Sequence, residues 1–178
     1  MKNKFLYSLL FVFSLLIGSP EILLNDDVFD VEVQIISISK TNDVISMKDV
    51  DMYGRAPVFY EIVFGVYNPY VDIAGFQFNL QPEDLILINK ENVFGGAAEG
   101  AGFNVYVGKG TILGFSMQGT IIPASQETQV LFSAKADIRE VKKYIDSEIT
   151  ANNLVIASKA GKTLSSKFNP FKFEDIDE

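Results

Sequence analysis

From Val28 onward the chain is built of short runs in which apolar and polar residues alternate, and this period of two decides the class of fold. In Phe29-Asp30-Val31-Glu32-Val33-Gln34-Ile35 the pattern describes a half-buried strand with Phe29, Val31, Val33 and Ile35 turned inward. Similar runs follow at 58–66, 73–80, 85–88, 103–107, 112–118, 130–138 and 154–157, which predicts eight or nine strands. Between them, Asn68-Pro69, Gln81-Pro82, Gly95–Gly102, Gly108-Lys109-Gly110, Pro123 and Ala160-Gly161-Lys162 supply turn chemistry at intervals suited to an antiparallel sandwich. The only helical pattern after the N-terminus is Arg139–Ser147, with Val141, Tyr144 and Ile145 on one face, and it reads as a short insertion.

The N-terminus follows a different rule. Lys2 and Lys4 precede an uncharged run from Phe5 to Gly18, the arrangement of a secretory signal peptide and shorter than the roughly 20 residues of a membrane-spanning helix. The expected organisation is a signal over 1–19 with a weak cleavage site, a linker over 20–27, a β-sandwich over 28–168 and an acidic tail over 169–178. An uncleaved anchor and a buried core helix are the other readings of the apolar run. Removing residues 1–19 would leave 13 basic against 23 acidic residues, a net charge of −10, with no transmembrane segment in the mature form.

Composition narrows the chemistry. The 178 residues include no His, no Cys and no Trp. There is no imidazole base, no thiolate, and no nitrogen or sulfur ligand for zinc or copper, so the expectation is a protein that is not an enzyme and needs no cofactor. A cation, if held, would be a hard one such as calcium. The oxygen-rich stretches Asn25-Asp26-Asp27 and Asp49/Asp51 are where it would bind, although Tyr53 interrupts the second loop and no glutamate closes it. The full chain carries 15 basic and 23 acidic residues, a formal charge of −8 without a basic run, which argues against nucleic acid as a partner.

Four motifs invite chemical readings that their positions do not support. Gly95–Gly102 lacks a phosphate-loop spacing, and close backbone approach explains its glycines better. Gly161-Lys162-Thr163 has Ile156 where a Walker loop needs glycine, and Glu83-Asp84 are too close in sequence to flank a substrate. Tyr53, Tyr60, Tyr67 and Tyr70 cluster in sequence, but Tyr60 and Tyr67 fall on opposite faces of one strand and cannot form a single stacking platform.

The stretch Ile73-Ala74-Gly75-Phe76-Gln77-Phe78-Asn79-Leu80, followed by Pro82-Glu83-Asp84-Leu85, resembles the third strand of cohesin modules and of related bacterial carbohydrate-binding sandwiches. The likeness continues through Gly95–Phe103, Leu113–Gly119 with Ile122-Pro123-Ala124, and Asn153–Ser158, over about 28–163. It implies an all-β, nine-stranded jelly-roll sandwich. It also implies a secreted or cell-surface binding module whose partner helix docks on the outer face of the third, fifth, sixth and eighth strands.

Applying the alternation to that face turns Phe76, Phe78, Val105, Leu113, Phe115, Met117, Phe132 and Ala134 inward. It leaves Gln77, Asn79, Asn104, Tyr106, Ser116, Gln118, Ser133 and Lys135 as an amide- and hydroxyl-rich partner-binding face. The expected partner is a protein, either dockerin-like or a component of an extracellular assembly. A polysaccharide, for which the missing Trp is unfavourable, and a structural role in a surface layer or virion are the alternatives.

Overall fold

The computed structural model of the chain describes residues 29–41, 59–83, 86–108, 110–138 and 146–172. Its strands are β1 (Val31–Lys40), β2 (Phe59–Asn68), β3 (Gly75–Gln81), β4 (Ile86–Phe94), β5 (Asn104–Gly108), β6 (Thr111–Phe115), β7 (Ser125–Ile138), β8 (Glu148–Ala157), β9 (Thr163–Leu164), β10 (Ser166–Asn169) and β11 (Phe171–Lys172), with one helix, α1 (Gly96–Gly100). They form two sheets, ordered β10-β1-β2-β7-β4 and β11-β8-β3-β6-β5, with β9 also beside β8. This is the expected all-β sandwich.

Alternation builds the interior. Val31, Val33, Ile62, Phe64, Val66, Phe132 and Ala134 turn inward from the first sheet and Phe76, Phe78, Ile112, Ile149 and Ile156 from the second, all essentially without solvent exposure. Phenylalanine joins the layers: Phe132 stacks on Phe64 at 4.6 Å and on Phe76 at 5.8 Å, and Phe76 stacks on Phe103 at 6.2 Å. Five phenylalanines, Phe64, Phe76, Phe78, Phe103 and Phe132, thus stand in the core. At one end Asn68 is fully buried yet satisfied, donating to the carbonyls of Val71 (2.8 Å) and Pro123 (3.1 Å) and accepting from Gln129 Nε2 (3.0 Å).

The glycine-rich stretch, expected as a loop, contains α1 instead. Ala97 and Ala98 favour a helix, Ala98 is buried, and the Glu99 carboxylate accepts the Gly95 N–H to close the first turn. The expected close approach is also present: a Cβ on Gly96 would meet the backbone of Leu131.

The sandwich also runs past the expected boundary at 168. β10 pairs in parallel with β1, and Phe171 in β11 packs against the core, so part of the stretch read as an acidic tail belongs to the sheets. These strands are too short and too polar for alternation to reveal. Eleven strands among the described residues, against nine expected, reflect these small C-terminal pairings. The expected signal, the linker up to Asp27, Asp49, Asp51, Tyr53 and residues 139–145 of the expected helix lie outside the described residues. Among the described residues no helix is long and apolar enough to cross a membrane, and no three acidic side chains gather to hold a metal ion.

Candidate functional site

The second sheet presents its outer face through β8, β3, β6 and β5, and the strand register determines which side chains share it. Gln77 stands between Val155 of β8 and Leu113 of β6, and Leu113 in turn pairs with Tyr106 of β5. The row across four strands is therefore Val155, Gln77, Leu113, Tyr106. Its apolar members are exposed by 41%, 37% and 53% respectively. The neighbouring row joins Gly75, Phe115 and Asn104, and the Phe115 ring stacks on Tyr106 at 5.6 Å. On the other side, Asn79 lies between Thr111 and Asn152.

Gln77, Asn79, Asn104 and Tyr106 are thus brought together on one face. The other expected members are not. Leu113 and Phe115, expected inward, point outward, while Ile112 and Gly114 face the core. The cause is steric: a Cβ on Gly114 would overlap the ring of Phe76, so the inward position opposite Phe76 is open only to glycine. Both parities of Ile112-Leu113-Gly114-Phe115 are apolar, and hydropathy favoured the bulkier pair. Gly114 itself was the signal that could have corrected it.

Strand β6 also ends earlier than expected. Ser116 and Gln118 lie in the turn after it, where Ser116 Oγ accepts the N–H of Gln118 (3.2 Å) and of Thr120 (3.4 Å) and lies 2.6 Å from Thr120 Oγ1. Ser116 therefore organises a turn. Met117, expected inward, is 76% exposed at its tip. Ser133 and Lys135 are on β7 in the opposite sheet, where Ser133 is buried between Val63 and Phe94 and Lys135 stands opposite Glu61. Alternation gives the parity of a residue along its strand but not the sheet to which that strand belongs. The residues that take their place are Val155 and Asn152 of β8, a strand of ten residues where only its last four were expected.

Two further features lie on this surface. Asn79 Oδ1 is buried and accepts no hydrogen bond from the described residues. Asn153 breaks the β3–β8 register with a positive φ of 52°, consistent with the pairing shift between Gln77 and Asn79. Elsewhere, Gly161 (φ 73°) closes the turn between β8 and β9, with the Ser158 N–H donating to Lys162 O at 2.9 Å, so the Gly-Lys-Thr sequence is a tight turn. Tyr60 packs against the core while Tyr70 is 82% exposed, so these tyrosines form no single strip.

No protein-family model matches the chain, and no curated protein matches it. Among solved structures, the type I cohesin–dockerin complex Coh-OlpC–Doc435 from Clostridium thermocellum matches with a TM-score of 0.51 at 15% identity, covering 80% of this chain and 91% of that one. The non-cellulosomal cohesin from the hyperthermophilic archaeon Archaeoglobus fulgidus matches at 0.49 and 11% identity, covering 79% and 87%. The third cohesin of ScaC in complex with the ScaB dockerin, from Acetivibrio cellulolyticus, matches at 0.49 and 14% identity, covering 79% and 94%. With its two-sheet topology and the Clostridium thermocellum match, the chain has a cohesin-like fold.

Proposed function

We propose that the chain is a secreted, non-catalytic binding module that holds a protein partner of dockerin type on the outer face of β8, β3, β6 and β5. The observation that carries this reading is the row Val155, Gln77, Leu113, Tyr106, in which three exposed apolar side chains flank one amide. Such a surface suits the apolar side of a helix: Leu113 and Val155 lose water on contact, and Gln77 and Asn104 hydrogen-bond at no cost in buried charge. The match to a solved cohesin–dockerin complex supports the same class of partner.

A glycan is a weaker fit to this face, because among its described residues only the Tyr106–Phe115 pair offers rings, beside the aliphatic Val155 and Leu113. The test is recovery of a partner from an extract of the native organism on immobilised protein, comparing the unaltered chain with Leu113→Glu and Gln77→Ala. Loss of a recovered protein with both variants supports the reading. Equal recovery by all three would refute it, and binding on a glycan array that survives Leu113→Glu would replace it with the sugar reading.

A further inference from the structure

The two sheets end in strands that differ in how well they are protected against pairing with another chain. β10 carries Lys167 and is followed by Pro170, β4 has a register shift between Ile88 and Val93, and β9 and β11 have two residues each. Charge, proline, irregularity and shortness are the usual means of keeping a sheet edge from adding strands. β5, the remaining edge among the described residues, has none of them. Asn104-Val105-Tyr106-Val107-Gly108 is uncharged and keeps unbroken register with β6 over five pairs.

Its backbone is also aimed outward in a defined way. A two-residue connection joins Gly108 to Thr111, with Gly110 at φ 82°, and the closing pair of such a hairpin is hydrogen-bonded. Alternation then directs the backbone groups of Asn104, Tyr106 and Gly108 toward β6 and those of Val105 and Val107 toward the open edge. Their side chains pack only partly against the core.

We infer that two copies of the chain associate through β5, antiparallel about a two-fold axis at Tyr106, so that their second sheets become one. The occupant is a second copy because the strand is complementary to itself. In this register Val105 of each copy exchanges hydrogen bonds with Val107 of the other, and Tyr106 meets its counterpart in the close, non-hydrogen-bonded position. Although the chain carries a net charge of −8, no charge lies on the strand, so like charges do not meet at the seam. The exposed Tyr106 and the half-covered valines lose water together, and the row Val155, Gln77, Leu113, Tyr106 runs on into its copy. A five-residue strand pair is a small interface, so the dimer should be weaker than about 1 µM. The seam takes Tyr106 out of the partner face, but the association itself does not rest on the reading of that face as a partner site.

The absence of cysteine provides the test. In Tyr106→Cys the two new thiols would lie about 4.5 Å apart at their Cα atoms, within disulfide range, and they are the only thiols in the sample. Under mild oxidation this variant should form a covalent dimer at least tenfold faster than Thr120→Cys, an exposed control outside the strand. Sedimentation of the unaltered protein should show a reversible monomer–dimer equilibrium that Val107→Pro abolishes, since that change removes an edge-facing N–H and leaves the bonds to β6 in place. A protein that stays monomeric up to about 1 mM, well above the Kd of most specific pairs, would overturn the proposal. So would cross-linking of Tyr106→Cys no faster than the control.

Discussion

The ring of Phe76 fills the space in which a Cβ on Gly114 would stand, and the two residues face each other in register across β3 and β6. This contact turns Leu113 and Phe115 to the outer face. Gly114→Ala is therefore expected to destabilise the protein by about 1–3 kcal/mol, the usual cost of overpacking a core. For a chain of this size the melting temperature should fall by roughly 2–4 °C for each kcal/mol. Adding Phe76→Leu should recover part of the loss, because the two changes share one volume. Thermal unfolding of the two single variants and the double variant measures that coupling, and strict additivity would show that the contact does not set the register.

Leu113 separates stability from binding. Its side chain is 37% exposed, so Leu113→Glu should change unfolding free energy by less than about 1 kcal/mol while abolishing partner recovery. Chemical denaturation alongside the recovery assay checks both halves.

Asn68 makes the opposite case, a polar group whose value is structural. Asn68→Leu takes the donor from the Val71 carbonyl and leaves the Pro123 carbonyl and the Gln129 amide only their bond to each other at 3.3 Å. The expected cost is about 2–4 kcal/mol, read as a lower denaturation midpoint with unchanged slope. Gln129→Ala removes a donor from a more accessible position and should cost less.

The strand pattern was legible wherever one parity was apolar and the other polar, as in Val31, Val33 and Ile35 against Glu32 and Gln34. It failed at β6, where both parities are apolar and a ring contact from another strand makes the choice. It failed again at Ser133 and Lys135, because sheet membership is set by pairing across the fold. Four of the eight expected face residues, Gln77, Asn79, Asn104 and Tyr106, do lie together. The apolar half of the face was hidden by the β6 inversion and by the unrecognised length of β8. Asn152 and Asn153 obscure the apolar pattern in the first part of that strand.

The C-terminal strands carry a further expectation. Phe168 packs against Phe78 with ring centroids 5.9 Å apart, and Lys167 bridges to Glu32 at 3.4 Å. Ending the chain after Ser165 would remove both contacts and open the β1 edge. The shortened protein should unfold at a lower denaturant concentration and aggregate through that edge. Light scattering during refolding checks it.

Docking of a protein on the outer face of β8, β3, β6 and β5 can be read by site-specific photocross-linking in an extract of the native organism. A photoreactive residue placed at Leu113 should capture a discrete protein partner that the same residue at Val63, on the opposite sheet, does not. Capture at Val63 alone, or equal capture at both positions, would contradict the account.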